Sequence, residues 1–143
     1  MVARHGSGRV RFGVPQDVAF DYLVDPANRP AWQSSLRAVT GVEGEPRVGQ
    51  TWVDVTVPGL RPAMRTTLLE RPHLWAESGR WRGVTATLDL AFTPAAAGTA
   101  CDVGFRFRIE ALGVLGLAAT FASVPAVRAD LKRAAAILLR DAG

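Results

Sequence analysis

Two consecutive segments of the chain alternate apolar and polar residues without a break, and this alternation constrains the fold more than any other feature. The apolar positions are Val84, Ala86, Leu88, Leu90 and Phe92 in the first segment, and Cys101, Val103, Phe105, Phe107 and Ile109 in the second. A period of two is that of a β-strand with one buried face. A slip of one residue would bury charged side chains, so the register is well specified. The short loop at Gly98 predicts antiparallel pairing.

The segment after these strands predicts a long helix over residues 112–139. Its apolar residues recur every three or four positions, namely Val124, Val127, Leu131, Ala134 and Leu138, with Leu117 and Phe121 beside them. Such a stripe is typical of a helix that packs on a sheet. Pro125 should kink or restart this helix, because proline has no amide hydrogen and its ring collides with the preceding turn.

Ahead of the long helix, the chain predicts one strand, two short helices and six more strands, the last two being the alternating segments described above. A short strand over 9–12 precedes a helix that opens at Pro15 and ends before Pro26. A second helix is expected over 29–35, where Asn28 can cap it. The remaining strand-like runs, bounded by turn residues, cover 36–42, 51–57, 63–69, 74–78, 84–92 and 100–109. The whole chain, 1–143, is expected to form a single domain.

The basic residues do not form the pattern of a nucleic-acid site. The net charge is +4, but 17 basic residues are scattered from Arg4 to Arg140 among 13 acidic ones, with Lys132 the only lysine. A surface that follows phosphates gathers its charge on one face or helix. We therefore expect no nucleic-acid partner.

Cysteine content and hydropathy indicate a cytoplasmic protein. Cys101 is the only cysteine, so neither an intrachain disulfide nor a cysteine-based metal cluster can form. The N-terminal stretch MVARHGSGRVRFG has no apolar run of the kind that a secretion signal needs. The uncharged segment 111–127 contains glycine, serine, threonine and proline, so we interpret it as part of a buried helix and expect no transmembrane segment.

Four stretches follow one another along the chain in this order: VPQDVAFDYLVDPANRPAWQSSL, VGQTWVDV, ERPHLW and AGTACDVGFRF. Together they resemble the START-like or SRPBCC superfamily, in its polyketide cyclase/dehydrase branch. The resemblance covers almost the whole chain. It implies an α+β helix-grip fold, in which a curved antiparallel sheet of about seven strands, in β-α-α-β6-α order, wraps around a long C-terminal helix.

The resemblance also implies a cavity between the sheet and the C-terminal helix. Large apolar side chains could line it: Phe20, Trp32, Met64, Trp75, Trp81, Phe105, Phe107, Leu117 and Phe121. Each of them could also be an ordinary core residue, although the position of Trp32 on a short polar helix favours the rim of the pocket. Two strands leave their inward face open, since Trp52 alternates with valines and Trp75 alternates with Leu74 and Ala76.

Few residues could carry out acid-base chemistry. His5 falls in an expected frayed terminus and His73 in a turn, so neither is a good catalyst or metal ligand, and no metal site is expected. The candidates are Arg65, Glu77 and Asp54, which would be interior if their strands turn them inward. An inward Arg65 could pair with Glu77 and orient a ligand. No phosphate-binding loop or dinucleotide fingerprint occurs, so no cofactor is expected.

These observations favour a binder and carrier of a small hydrophobic molecule, aromatic or polyketide-like, with lipid binding as the broader class. A cyclase or dehydratase that acts mainly by positioning its substrate is the alternative, because positioning alone can lower a barrier substantially. A third class is an interaction module that holds a partner peptide in the groove. The oligomeric state is expected to be a monomer or a homodimer.

Overall fold

The computed structural model describes residues 2–111 and 123–142. Its elements follow the predicted order, and their bounds are β1 (Val2–Phe12), α1 (Gln16–Leu23), α2 (Arg29–Trp32), β2 (Leu36–Thr40), β3 (Thr51–Thr56), β4 (Ala63–Glu70), β5 (Leu74–Trp81), β6 (Val84–Ala95), β7 (Ala100–Ala111) and α3 (Val124–Ala142). The α+β helix-grip prediction is confirmed. A single 3-10 turn over Pro26–Asn28 joins α1 to α2.

The described strands form one curled antiparallel sheet in the order β1-β7-β6-β5-β4-β3-β2. Register shifts interrupt two of its ladders, between Thr66 and Leu68 on β4 and between Leu36 and Ala38 on β2. An extra residue on one strand bends and twists the pair. The sheet therefore curves at these strands and offers a concave face to α3.

The period-two prediction for β6 and β7 is confirmed by their register. Leu88 lies opposite Phe107, and Leu90 lies opposite Phe105. From Cys101 to Ala111 every second residue of β7 is buried, and the residues between them are exposed or half-buried. Because paired residues share a face, the apolar sets of both strands form one continuous inner surface.

Strand β1 is longer than the sequence indicated. It pairs with β7 along its whole length, and His5 lies opposite Arg108, so the expectation of a frayed terminus was wrong. Gly6 and Gly8 lie on the inward face of this strand, where the rings of Phe107 and Phe105 lie across them. A Cβ on Gly8 would stand 2.6 Å from Phe105 Cζ, closer than packed atoms approach.

Helix α3 covers the concave face with the predicted apolar stripe. Leu131, Ala134 and Leu138 are buried in it. The helix begins at Val124, which puts Pro125 in the first turn, where its missing amide has no intrahelical partner to lose. Of the two predicted outcomes, a kink or a new start of the helix, Pro125 thus marks a new start. The predicted first part of this helix, with Leu117 and Phe121, lies outside the described residues.

Helix α2 is shorter than predicted. It ends at Trp32 because Gln33 has an extended backbone, with φ −93° and ψ 110°. Asn28 does not cap it through its side chain; instead Asn28 Nδ2 donates to the carbonyl of Tyr22 at 3.0 Å. The early end frees the following residues to lead into β2. In the described part of the chain, no helix has the length and hydropathy that a membrane span requires.

Candidate functional site

A cavity of about 780 Å³ lies between the concave sheet and the first turns of α3. Ligand cavities in proteins typically measure about 300–1,000 Å³. Most of its wall is apolar. Four of the predicted lining residues are on that wall: Trp32, Met64, Trp81 and Phe107. Further apolar wall residues are Leu36, Val57, Leu60, Val84, Ala86, Leu88, Ile109, Ala126 and Val127.

Three other residues predicted to line the cavity lie in the packed core instead. Phe20 stacks edge to face on Phe92, with ring centroids 5.0 Å apart. Trp75 is 1% exposed, and Phe105 fills the space above Gly8. None of the three is among the residues that line the cavity.

One side of the cavity mouth is held to α3 by hydrogen bonds. Asp130 Oδ1 accepts from the backbone N–H of Ser34 at 3.2 Å and from its hydroxyl at 3.0 Å. Arg133 Nη1 donates to the carbonyl oxygen of Trp32 at 3.0 Å and to Asp130 Oδ1 at 3.1 Å. The segment that joins α2 to β2 is therefore fixed beside the helix.

For β3 and β5 the sequence did not decide which face turns inward. In the structure both strands direct their carboxylate side chains, Asp54 and Glu77, to the interior. Trp52 and Asp54 of β3 are buried, and so is Glu77 of β5, while Leu74 is 38% exposed. Asp54 and Glu77 are also on the cavity wall. The cavity therefore has an acidic patch, formed by Asp54 and Glu77, on a mostly apolar lining.

Arg29 lies behind this patch and binds both carboxylates. Its Nε and Nη2 donate to Asp54 Oδ1 and Oδ2 at 3.1 and 2.9 Å, and its Nη1 donates to Glu77 Oε2 at 2.7 Å. Arg29, Asp54 and Glu77 are 2%, 3% and 5% exposed. We call these three residues the buried triad. Such an arrangement is tolerated in an interior only because each charge has a partner with good geometry.

Trp52 completes the setting of the triad. Its Nε1 donates to Asp54 Oδ1 at 2.9 Å, and the guanidinium carbon of Arg29 lies 5.2 Å from the centroid of its ring. Asp54 thus accepts three hydrogen bonds. No described residue donates to Glu77 Oε1, which leaves Glu77 as the carboxylate with spare acceptor capacity.

One cation shared by two carboxylates explains the proton affinities within the triad. Burial raises the pKa of Glu77 to about 7, since the attraction of Arg29 does not offset the loss of water and Asp54 adds repulsion. Burial alone would lower the pKa of Arg29, but Glu77 and Asp54 outweigh it and raise that pKa. Arg29 therefore stays charged, and Glu77 is the group that can change its protonation near neutral pH.

The predicted pair of Arg65 with Glu77 does not form. Arg65 is exposed, because the inward positions of β4 are those of Met64 and Thr66. The sequence pattern did not identify Arg29, which pairs with Glu77 in the way that was predicted for Arg65. One signal was available: two carboxylates that share a strand face with tryptophans need a cation, and Arg29 stands three residues before Trp32 on the same side of α2.

Neither histidine belongs to this site. His5 lies on the outward side of β1, and His73 Nδ1 is 3.0 Å from Gln16 Nε2 at the surface. Within the ranges 2–111 and 123–142, no group of side chains suits a metal ion. Cys101 is fully buried, and burial raises the pKa of its thiol to about 11. The ionisable groups on the cavity wall are those of the acidic patch together with Arg80 and Asp130.

Comparison with solved structures finds the same fold in proteins of very different sequence. Norcoclaurine synthase from Thalictrum flavum, in a point mutant bound to a transition-state analogue, has a TM-score of 0.73 at 11% identity, covering 99% of this chain and 98% of that chain. The protein XoxI from Bacillus cereus has a TM-score of 0.73 at 10% identity, covering 97% and 98%. At such identities the likeness shows the fold alone.

Sequence comparisons narrow this likeness to a family. No curated protein sequence matches the chain significantly. A family model does match, over residues 4–142, and its description is "Polyketide cyclase / dehydrase and lipid transport". Because the match spans nearly the whole chain, the protein belongs to the polyketide cyclase/dehydrase and lipid transport family.

Proposed function

We propose that the protein binds and carries a small hydrophobic molecule in the cavity between its sheet and α3. The observation that carries this proposal is a space of about 780 Å³ with a mostly apolar wall. Water finds few hydrogen-bond partners on such a wall. Binding of an apolar guest removes the apolar surface of both the guest and the wall from solvent, which is favourable. The family, whose description includes lipid transport, supports the same class of ligand.

Three narrower statements belong to this proposal. The ligand is aromatic or polyketide-like, because Trp32, Trp81 and Phe107 offer it large flat faces. The protein works in the cytoplasm as a single domain, in keeping with its one cysteine. It binds this ligand without a cofactor and without nucleic acid.

Filling the cavity tests the proposal directly. Ala86 lines the cavity, whereas its neighbour Thr85 faces outward on the same strand. In the variant Ala86→Leu we expect weaker displacement of an apolar fluorescent dye, while Thr85→Leu serves as the matched control and binds as the parent does. Native mass spectrometry of gently purified protein should also show a bound small molecule. If neither a bound species nor displacement by any apolar ligand is found, the proposal fails.

The acidic patch favours one second candidate, a cyclase or dehydratase. A carboxyl group on the cavity wall with a pKa of about 7 suits proton transfer to or from an enolisable ligand near neutral pH. In this reaction the cavity would position the poly-β-ketone substrate, and Glu77 would transfer the proton. Incubation of several poly-β-ketone substrates with the parent and with Glu77→Gln tests this: identical product profiles with parent, variant and no protein would refute it.

A further inference from the structure

The polar part of the cavity wall includes a patch of two carboxylates. Asp54 and Glu77 are on that wall, while their cation, Arg29, is not among the lining residues. A guest at this patch therefore meets the oxygens of Asp54 and Glu77 rather than the guanidinium of Arg29. With both carboxylates ionised, the buried triad has one more negative than positive charge.

The hydrogen bonds within the triad single out one atom for a guest. Both oxygens of Asp54 are already used by Arg29 and Trp52, and Glu77 Oε2 is used by Arg29. Among the described residues, none donates to Glu77 Oε1. Glu77 is 5% exposed and lies on the cavity wall, so a guest that donates to Oε1 adds a charge-assisted hydrogen bond in a site largely shielded from water.

We propose that the ligand is an apolar molecule with a hydrogen-bond donor at one end, a protonated amine or a hydroxyl, which donates to Glu77 Oε1. This inference rests on the proposed function and specifies the ligand of the same cavity. The remaining body of the ligand packs against the apolar wall beyond the patch. With Glu77 ionised, a ligand whose polar end only accepts hydrogen bonds, such as an ether or a ketone, would bring no donor to these carboxylate oxygens and bind less tightly.

Three probes with one common ring system separate the alternatives. These are 2-naphthylmethylamine, 2-naphthol and 2-methoxynaphthalene, and their dissociation constants can be measured by calorimetry at about pH 8. We expect the amine or the naphthol to bind about tenfold or more tightly than the methyl ether. A preference for the amine identifies a cationic head group, and a preference for the naphthol identifies a hydroxyl.

The substitution Glu77→Gln should remove this preference and leave the methyl ether bound as before. Ile109→Val is the matched control, since Ile109 lies on the apolar wall. It should weaken all three probes alike and keep their order. Circular dichroism and thermal unfolding would verify that both variants fold.

If Glu77→Gln does not fold, a measurement on the parent protein alone tests the same inference. The charged groups around Glu77 are Arg29 on α2 and Asp54 on β3, and the cavity wall adds Arg80 from β5 and Asp130 from α3. Since burial raises the pKa of Glu77 to about 7, it is partly protonated at about pH 6.5 and must ionise to bind the amine. Calorimetry in two buffers of different ionisation enthalpy should therefore show proton release with the amine and none with the ether.

Failure of this inference differs from failure of the proposed function. If all three probes bind with equal affinity, or the ether binds most tightly, or Glu77→Gln leaves the preference intact, the donor inference is overturned and the apolar carrier remains. If not one of the probes binds, the proposed function itself is contradicted.

Discussion

The buried carboxyl of Glu77 should make the folded protein less stable as the pH rises. Burial raises its pKa from an ordinary 4.5 to about 7. Below about pH 4.5 the group is protonated in both states, and above that the unfolded chain loses the proton first. Folded protein holds more protons throughout the window up to about pH 7, so the free energy of unfolding falls across it. At 1.36 kcal/mol for each pKa unit, the whole effect is about 3 kcal/mol.

Comparison with Glu77→Gln isolates this contribution from every other titrating group. Urea unfolding of both proteins, followed by circular dichroism from about pH 5 to about pH 8, gives the free energy of unfolding at each pH. The parent minus the variant should fall by about 2–3 kcal/mol over this range. Glu70→Gln, at the exposed end of β4, controls for the loss of one negative charge. If the curves of parent and Glu77→Gln run parallel, burial does not govern the protonation of Glu77.

Three further outcomes follow from contacts described above. Arg29→Met leaves two buried carboxylates without their cation, so urea unfolding should show a loss of about 3–5 kcal/mol, and a loss below about 1 kcal/mol would contradict the triad. Gly8→Ala brings a Cβ to 2.6 Å from the ring of Phe105, whereas the nearest atom to a Cβ on Gly104 is 3.8 Å away. Thermal unfolding should therefore show about 1–3 kcal/mol of destabilisation for Gly8→Ala and clearly less for Gly104→Ala; the reverse order would refute this packing. Cys101, buried and with a pKa raised to about 11, should react with Ellman's reagent only after unfolding in urea; rapid reaction of the native protein would contradict its burial.

Alternation made most of the fold predictable from the sequence, and glycine marks the place where it did not. The late strands carry an apolar residue at every inward position, so their period is visible. On β1 two inward positions are Gly6 and Gly8, which give no hydropathy signal. Their role becomes visible only when the rings of β7 are placed across them. Local patterns cannot reveal such a fit between distant strands.

The site was less predictable because its key contacts join residues far apart in the chain. Arg29 and Glu77 are separated by 48 positions, and Arg29 and Asp54 by 25. Pattern analysis could name the two carboxylates as candidates, yet it could not decide which face of β3 and β5 turns inward. Once that face is known, the need for a buried cation follows from the cost of burying charge.

Strand β1 forms one end of the sheet, and its exposed arginines affect that edge independently of ligand binding. In the described sheet β1 has a strand neighbour on one side only, β7, along eleven residues. A long open edge invites another chain to add a strand there, which is a route to aggregation. Arg4 and Arg9 are exposed on this strand, so a second copy that approached in the same way would meet like charge. Positive charge at this edge thus disfavours the addition of a second copy as a further strand.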